Sequence, residues 1–249
     1  ISENAEFAKT VADNGIAFVG PPPEAMLRMK DKSEARRLVA EAGVPIVPGS
    51  KDTIPDVATA LAEAERIGYP ILCKAAGGGG GIGMAVANTP AELEKVFRAC
   101  VDRARAAFSR DTVYLERYFA APRHLEVQIL GDLKGHTLHI LERECSIQRR
   151  HQKVVEEAGS PLFLDGQNAD VRQQLFDAGL KAAKAFGYAN AGTVELLYSE
   201  GKFYFLEMNT RLQVEHPVTE LITGLDLVRE MVRIAAGEKL GYEQSEVLP

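Results

Sequence analysis

Apolar and polar residues alternate from Phe203 to Asn209, a pattern typical of a β-strand with two different faces. Because successive side chains of a strand point to opposite faces, Glu207 and Asn209 are predicted to share one face near the end of this strand. The alternation is lost over residues 210–216, and Pro217 begins a helical pattern. The pattern therefore predicts a strand, a polar connection and a helix, with a carboxylate and an amide where the strand ends.

A second run of β-forming residues, 193–198, precedes this strand and predicts an antiparallel hairpin. A three-residue turn would pair Ser199 with Phe203. In that register Glu195 lies opposite Glu207, whereas a shift of one residue would turn Glu195 to the other face. Two facing carboxylates repel each other unless they are protonated or bridged by a cation. Because the candidate ligands are all oxygens, Mg²⁺ or Mn²⁺ is the expected cation.

Hydrophobic periodicity and the positions of glycine and proline predict the other elements. Helices are expected at about residues 3–14, 23–30, 31–42, 54–67, 90–108, 168–186, 218–222 and 225–236, and strands at about 16–19, 70–76, 84–87, 113–119, 124–129 and 136–145. Leu125, Val127 and Ile129 alternate with polar residues, which predicts a half-buried strand paired antiparallel with 136–145. The strand at 16–19 has no predicted neighbour, so this region is expected to be the end of a domain whose start is absent.

Five consecutive glycines, residues 77–81, separate two predicted strands. A dinucleotide-binding GxGxxG turn requires a following helix, and a Walker A loop requires Lys and then Ser or Thr; the sequence predicts neither. Two interpretations remain, a structural turn and a flexible hairpin whose N–H groups close over phosphates. The number of glycines favours the hairpin, because a structural turn needs only one or two. Lys74 supports it, since a buried ammonium group requires an anionic partner.

A dense basic cluster occupies residues 146–153 of a protein with a net charge of −6. Charge alone leaves two interpretations open, a solvated loop and a local anion-binding site. The acidic balance argues against a general nucleic-acid surface, so no nucleic-acid partner is expected. Further along the chain, Arg211, Gln213 and Glu215 would suit a small planar anion and a base to deprotonate it.

The 249 residues suffice for one large domain or two small ones, and 46% hydrophobic and 26% charged residues are typical of a globular protein. No apolar run reaches the length that spans a membrane, so no membrane partner is expected. Cys73, Cys100 and Cys145 form no CxxC pair, which favours a reducing compartment over a disulfide framework or a zinc site. A cytoplasmic location is therefore expected, or the mitochondrial matrix in a eukaryote.

Residues 207–220, EMNTRLQVEHPVTE, resemble the signature of biotin carboxylases, the ATP-grasp components of acetyl-CoA, propionyl-CoA and pyruvate carboxylases. The stretches SENAEFA, FVGPPPEAM, MKDKSEAR and RRHQK agree with the same family. The resemblance implies an α+β ATP-grasp fold, a small α/β lid over a mostly antiparallel sheet with flanking helices, incomplete at both ends. It places the end of an N-terminal domain and its linker helices at 1–46, the lid at 47–121 and the core, with a truncated C-terminal lobe, at 122–249.

The resemblance also implies roles for individual residues. The implied ATP contacts are Lys32, Lys74, Gly80, Gly81, Glu116, Arg117, Tyr118, Phe119, His124, Gln148, His151, Glu195, Leu197 and Glu207. The implied metal ligands are Glu195, Glu207 and Asn209, the bicarbonate ligands are Lys153, Arg211, Gln213, Val214 and Glu215, and the catalytic residues are Arg211, Glu215 and Lys153. Glu215 is expected to be the base, set away from the metal ligands. Ile82 departs from the family, which usually has Arg or Lys there, so side-chain contacts to phosphate from this position would be lost.

Without the resemblance, Lys32 would be read as a solvated helix charge, His124 as an exposed strand residue and Glu116 as part of an ordinary edge strand. The family therefore adds functional roles that the residue pattern alone does not supply.

The activity that the resemblance implies is ATP-dependent carboxylation of biotin by bicarbonate through carboxyphosphate, the first half-reaction of an acyl-CoA or pyruvate carboxylase. It requires ATP, two Mg²⁺ or Mn²⁺ ions and biotin, which is a substrate on a carrier protein. The implied partners are a biotin carboxyl carrier domain or protein, a carboxyltransferase component and further copies in a homo-oligomer. Two alternatives stay open, another ATP-grasp ligase of the carbamoyl phosphate synthetase type and an inactive nucleotide-binding fragment. The 249-residue chain alone is not expected to carboxylate biotin.

Overall fold

The computed structural model describes residues 1–75, 83–108, 112–149 and 152–248, with the backbone only at residues 32, 33, 107 and 108. The chain divides into two compact units. The larger unit contains residues 1–46, 123–147 and 153–249, and the smaller contains residues 47–122 and 148–152. Each unit has its own cluster of buried apolar side chains, so each is built around a separate core.

Helices flank the strands in both units. The helices are α1 Ala5–Asp13, α2 Pro23–Lys30, α3 Lys32–Glu41, α4 Val57–Ile67, α5 Pro90–Phe108, α6 Ala169–Phe186, α7 His216–Thr223 and α8 Leu227–Ala235. The strands are β1 Ile71–Ala75, β2 Met84–Ala87, β3 Val113–Arg117, β4 Arg123–Gly131, β5 Thr137–Arg149, β6 Gln152–Ala158, β7 Asn190–Ser199 and β8 Lys202–Asn209. Short 3₁₀ helices occupy Pro161–Gly166 and Gln244–Glu246. Over the ranges that the structure describes, no helix is both long and apolar enough to cross a bilayer.

The sheet of the larger unit has five strands in the order β6-β5-β4-β7-β8. β4 pairs antiparallel with β5 and β7, and β7 pairs antiparallel with β8. Helix α6 packs closely on this sheet, since a Cβ atom at Gly179 would lie 2.9 Å from the Cβ of Val127. Leu125, Phe186 and Leu196 are fully buried in the resulting core. The predicted antiparallel sheet with flanking helices is therefore confirmed.

The smaller unit has a three-stranded antiparallel sheet in the order β2-β1-β3. Ile71 and Cys73, at alternate positions of β1, are fully buried together with Leu93 of α5 and Leu115 of β3. Phe97, one turn further along α5, joins the same core. The sheet and the helix α5 packed on it give this unit a small α/β architecture.

Two strand predictions differ from the structure. Residues 16–19 form no strand, so that prediction was wrong. The reasoning that a strand here lacks its neighbours in a sheet therefore no longer applies. Ile16 is 63% exposed, in keeping with the rule that a short apolar run without a partner strand does not form a stable strand. β6 was not predicted, because its sequence, QKVVEEA, does not alternate and its side chains are mostly exposed or half-buried.

β4 is not half-buried as predicted. Glu126 and Gln128 are fully buried, as are Leu125 and Val127 on the opposite face. Burial of these polar groups is possible because Arg143 of β5 donates hydrogen bonds to both Glu126 and Gln128. The polar side of this strand therefore belongs to an internal network and does not face solvent.

The turn of the β7–β8 hairpin has two residues, not the predicted three, so Ser199 pairs with Lys202. Both turn residues, Glu200 and Gly201, have positive φ angles, of 53° and 76°. Positive φ at both positions is the requirement of the type I′ turn, whose twist matches that of the flanking strands. The predicted pairing of Ser199 with Phe203 was therefore wrong.

Candidate active site

The ammonium group of Lys153 lies among three carboxylates from different parts of the larger unit. Its Nζ donates to Glu126 of β4 and to Glu195 Oε1 of β7, the second at 2.9 Å. It also donates to Glu215 Oε1, just before α7, at 2.6 Å. Because a lysine ammonium group has three donor hydrogens, these three acceptors use all of them. One cation thus joins two strands to the segment that precedes α7.

Glu195 uses both of its carboxylate oxygens in contacts. Its Oε2 lies 3.0 Å from His124 Nε2. Its Oε1 accepts hydrogen bonds from Asn209 Nδ2 at 2.9 Å and from Gln213 Nε2 at 3.0 Å. Glu207 lies opposite Glu195 in the hairpin and is exposed. The three predicted metal ligands therefore lie on two neighbouring strands, with Asn209 bonded directly to Glu195.

These contacts set the pKa values of the cluster. Burial alone would lower the pKa of Lys153, but the attraction of Glu126 and Glu195 outweighs burial and raises that pKa. Burial would raise the pKa of Glu195, yet the contacts from His124 and Lys153 hold it well below its ordinary value. Burial also opposes ionisation of Glu215, and the hydrogen bond from Lys153 lowers its pKa overall. At neutral pH the cluster therefore contains a charged lysine and two charged carboxylates.

The fully buried side chain of Arg143 supplies a second cation. Its guanidinium N–H groups donate to five oxygen atoms on two strands, on the connection after β8 and on α7. These acceptors are Glu126 Oε1 at 2.5 Å, Gln128 Oε1 at 2.8 Å, Thr193 Oγ1 at 3.2 Å, Gln213 Oε1 at 3.4 Å and Thr219 Oγ1 at 2.9 Å. Glu126 thus lies between two cations, with one oxygen bonded to Arg143 and the other to Lys153.

Glu215 is not set away from the predicted metal ligands, so that expectation was wrong. Lys153 donates to Glu215 and to Glu195 at the same time. The sequence spacing could not reveal this connection, because the lysine reaches both carboxylates from β6, a strand that was not predicted. The candidate base and a candidate metal ligand are therefore parts of one hydrogen-bonded cluster.

The predicted bicarbonate ligands divide into two groups. Gln213 is buried and lies in the cluster. Arg211 instead donates from Nε to Glu3 Oε2 at 3.2 Å and from Nη1 to the Leu212 carbonyl at 3.5 Å. Val214 is 91% exposed, and because its side chain is apolar, only its backbone could serve an anion. The contacts of Arg211 are thus distinct from those that hold Gln213.

In the smaller unit, Lys74 of β1 forms an ion pair with Glu116 of β3. The Lys74 Nζ also lies 5.9 Å from the centroid of the Tyr114 ring. Both charged side chains are largely buried, and the register of β1 and β3 places them diagonally on the same face. The burial of Lys74 is thus already compensated by Glu116, so burial alone does not require a bound phosphate, which the sequence argument had assumed.

The end of β3 and the residue that follows it donate two backbone hydrogen bonds within the smaller unit. The N–H of Arg117 donates to the Pro48 carbonyl at 2.7 Å, and the N–H of Tyr118 donates to the Pro70 carbonyl at 2.9 Å. These two N–H groups are therefore occupied, and recognition of an adenine edge by this segment would use its other backbone groups. Phe119, the next residue, is buried.

The other predicted nucleotide contacts are spread over both units. Leu197 is half-buried on β7, directly opposite His124 of β4. Gln148 is half-buried near the end of β5, within the part of the chain that groups with the smaller unit. Lys32 begins α3, and its side chain is outside what the structure describes. Gly80, Gly81, Ile82 and His151 also lie outside the described residues.

Two members of the site, Glu126 and Arg143, were not predicted from the sequence. The available signal was the run Glu142-Arg143-Glu144 within a strand bounded by apolar residues. Successive charges on a strand point to opposite faces, so such a run places charge on both faces of a sheet. Such a run predicts internal ion pairs where the strand has a neighbour on each side, as β5 has β6 and β4.

Comparison with known proteins gives the family. Residues 31–243 match the family described as carbamoyl-phosphate synthase L chain, ATP binding domain, and residues 1–26 match the biotin carboxylase N-terminal domain. The chain is 49% identical over 249 residues to a biotin carboxylase of Pseudomonas aeruginosa, and the match covers 100% of this chain and 55% of that protein. The chain thus spans about half the length of this relative.

Two solved structures are similar over nearly the whole chain. A complex of biotin carboxylase with β-γ-ATP from Campylobacter jejuni matches with a TM-score of 0.89 and 45% identity, over 98% of this chain and 54% of that one. The biotin carboxylase domain of the 2-oxoglutarate carboxylase of Hydrogenobacter thermophilus, a dimer with MgADP, ADP and bicarbonate, matches with a TM-score of 0.89 and 44% identity, over 99% and 54%. The chain therefore has the ATP-grasp fold and belongs to the biotin carboxylases, within the family of the carbamoyl-phosphate synthase ATP-binding domain.

Proposed function

We propose that the full-length protein containing this chain carboxylates biotin with bicarbonate at the expense of ATP. The observation that carries the proposal is the contact of Lys153 with Glu126, Glu195 and Glu215, beside the buried amide of Gln213. It joins a candidate base, a candidate metal ligand and a cation for a small anion in one cluster. The similar 2-oxoglutarate carboxylase domain, whose structure contains MgADP and bicarbonate, supports these substrates.

Glu215 would remove the proton from bicarbonate, and the resulting carbonate oxygen would attack the γ-phosphorus of ATP. The bond from that phosphorus to the β–γ bridging oxygen breaks, ADP leaves, and carboxyphosphate forms. Carboxyphosphate then divides into CO₂ and phosphate. The phosphate would take the N1′ proton of biotin, and the resulting enolate would add to CO₂ through N1′. Arg211, with Lys153, Gln213 and the backbone amide of Val214, would bind the bicarbonate and later the biotin enolate.

The hydrogen bond between Lys153 and Glu215 bears on the strength of the base. With Lys153 bonded to it, Glu215 has a lowered pKa and is a weak base. An anion that accepted a hydrogen bond from Lys153 in its place would remove this stabilisation and raise the pKa of Glu215. Binding of bicarbonate would in this way strengthen the base at the moment when a proton must be taken.

The residues present fit a divalent metal. Glu195 and Glu207 supply carboxylate oxygens, and Asn209 bonds to Glu195 through its amide nitrogen, so its amide oxygen remains an acceptor. An all-oxygen set of this kind suits Mg²⁺ or Mn²⁺, and we assign two ions to it. When bound, such ions neutralise charge on the phosphate oxygens. Asn209 orients Glu195 toward this position, while Lys153 compensates the charge of Glu195.

We assign the nucleotide to the remaining predicted residues. Lys74 and the glycines Gly80 and Gly81 would bind phosphates, with Lys32. Glu116 and the segment from Arg117 to Phe119 would bind the adenine, and His124, Gln148, His151 and Leu197 would contact other parts of the nucleotide. The proposed partners are a biotin carboxyl carrier domain or protein, a carboxyltransferase component and further copies of the chain.

The test is a phosphate-release assay on the full-length protein with Mg-ATP, bicarbonate and either free biotin or ammonia. Biotin carboxylation predicts release that depends on bicarbonate and is stimulated by biotin. A carbamoyl phosphate synthetase type of ligase would instead respond to ammonia. Stimulation by ammonia and not by biotin would therefore overturn the proposal.

A further inference from the structure

Arg143 has no assigned role in the reaction, yet its guanidinium is among the most completely bonded groups in the described part of the chain. The side chain is fully buried, and five oxygen atoms accept hydrogen bonds from it. A guanidinium group has five N–H donors in one plane, so this acceptor set matches its full capacity.

The contacts of Arg143 determine which atom of Glu126 faces Lys153 and which atom of Gln213 faces Glu195. Arg143 bonds to Glu126 Oε1, which leaves Oε2 for Lys153. Arg143 also bonds to the amide oxygen of Gln213 at 3.4 Å, while the amide nitrogen of Gln213 donates to Glu195 at 3.0 Å. Only one of the two amide orientations satisfies both contacts, so Arg143 fixes which end of Gln213 faces Glu195.

Arg143 also bonds to residues that lie on either side of Glu215, the candidate base, in the chain. Gln213 and Thr219, its two acceptors outside the sheet, lie before and after Glu215 in the chain. Thr219 is on α7, and Glu215 occupies the position just before the first residue of that helix. The segment that presents Glu215 is therefore attached to the sheet at two points by a single side chain.

Stability alone does not explain a buried arginine with these partners. The cost of removing two charges from water offsets much of their attraction, and apolar residues of similar volume often give equal or greater stability. The same network does, however, restrict the positions of Glu126, Gln213 and Glu215 more tightly than apolar packing could, because each hydrogen bond has a required direction.

We infer that Arg143 is a positioning residue, which acts through Glu126 and Gln213 to hold Lys153 and Glu215 in the geometry that deprotonates bicarbonate. The inference rests on the proposed function. A lysine at this position would keep the charge beside Glu126 but could not reach Gln213 and Thr219 in the same plane. Arg143→Lys thus separates the charge of Arg143 from its geometry.

The test compares Arg143→Lys with a matched control, Arg172→Lys, in the full-length protein. Arg172 forms a two-oxygen contact with the fully buried Glu142, at 3.2 and 3.0 Å, and none of its described contacts involves the cluster. We expect Arg143→Lys to lower kcat by roughly 10- to 100-fold and to raise the KM for bicarbonate, since displacement of a catalytic group by ~1 Å has an effect of this size. The Kd for Mg-ATP should stay within about twofold, and Arg172→Lys should change Tm without changing kcat.

Thr219→Val is the second variant, because it removes one acceptor of Arg143 and leaves Glu126 in place. We expect a smaller loss of kcat in the same direction, and this variant decides the question if Arg143→Lys does not fold. A wild-type kcat and bicarbonate KM in the folded variants would overturn the inference. So would a fall in Mg-ATP affinity parallel to the fall in kcat, since it would indicate a general loss of structure.

A crystal structure of Arg143→Lys separates this inference from the proposed function. If the wild-type protein shows no bicarbonate-dependent phosphate release, the proposed function fails, but the positions of Gln213 and Glu215 can still be compared. Positioning by Arg143 predicts that the Gln213 amide turns away from Glu195 and that Glu215 shifts relative to Lys153. Unchanged positions of both side chains would overturn the inference independently of any activity.

Discussion

Glu195 lies directly opposite Glu207 in the β7–β8 hairpin, although the turn is one residue shorter than the pairing of Ser199 with Phe203 would require. A register shift between Glu195 and Leu196 leaves Leu206 as an extra residue in β8 and restores the pairing. Without this β-bulge, the two-residue turn would bring Leu206 opposite Glu195 and turn Glu207 to the other face. The bulge therefore places both carboxylates on one face.

Replacement of Glu207 by Gln should weaken metal-dependent nucleotide binding. We expect a loss of ~1–3 kcal/mol in Mg-ATP affinity, the usual size of a lost contact to a charged group. Isothermal titration calorimetry with and without Mg²⁺ measures the change. Glu200→Gln, in the turn of the same hairpin, is the matched control and should bind as the wild type does. Equal Mg-ATP affinity in Glu207→Gln and the control would refute the metal assignment.

Glu215→Gln should separate turnover from nucleotide binding. We expect bicarbonate-dependent phosphate release to fall by roughly 10²-fold or more, since the variant lacks the base, while the Kd for Mg-ATP stays nearly unchanged. Glu220→Gln on α7 is the control, because glutamine keeps the oxygen that accepts the hydrogen bond from the Leu227 N–H. If Mg-ATP affinity fell as steeply as turnover in Glu215→Gln, that carboxylate would be a nucleotide or metal ligand instead.

The ion pair between Lys74 and Glu116 should contribute to stability before any ligand binds. Lys74→Met leaves the largely buried Glu116 carboxylate without this cation, and loss of one partner of a buried pair costs ~3–5 kcal/mol at most. The double variant Lys74→Met/Glu116→Leu should recover much of the loss, because it removes both charges. Urea unfolding of the wild type, Lys74→Met, Glu116→Leu and the double variant measures the coupling free energy between the two side chains. A double variant no more stable than Lys74→Met would show that the unpaired Glu116 carboxylate does not cause the loss of stability.

His139 should make stability depend on pH in the mildly acidic range. Burial, and secondarily Arg172, lower the pKa of His139 to about 4, with Asp177 acting in the opposite direction. In the described part of the chain, its Nδ1 atom has no hydrogen-bond partner and its ring stacks on Phe176 at 3.8 Å, as suits a neutral imidazole.

Between pH 6.5 and about 4 the unfolded chain binds a proton at His139 that the folded chain does not. Stability should therefore fall as the pH falls through this range, by up to about 3 kcal/mol. Urea unfolding at pH 7 and pH 5 tests this, because most carboxylates stay charged over that interval. His139→Gln should reduce the difference between the two pH values, and an unchanged difference would contradict the assignment to His139.

The sequence predicted those features that depend on local pattern. The alternation from Phe203 to Asn209 gave the strand, and Gly187 with φ of 62° gave the end of α6. The pairing of Glu195 with Glu207 was predicted through an incorrect turn, since the bulge that corrects it leaves no mark in a run of alternating residues.

The network around Lys153 and Arg143 could not be predicted in the same way. Glu126 lies 17 residues from Arg143, and Gln213 lies 70 residues from it. Such contacts depend on which strands become neighbours, and β6, which carries Lys153, lacks the pattern of a strand. The resemblance identified Lys153 and Glu215 as site residues, but the contact of Lys153 with both Glu195 and Glu215 required the structure.

The most direct test of the proposed function follows labelled carbon from bicarbonate to biotin. Purified full-length protein is incubated with Mg-ATP, free biotin and ¹⁴C-bicarbonate, and acid-labile carboxybiotin is counted with and without ATP. The account predicts ATP-dependent transfer of label to biotin that is lost in Glu215→Gln. Absence of labelled biotin from a folded wild-type protein that binds Mg-ATP, or transfer that Glu215→Gln leaves unchanged, would contradict it.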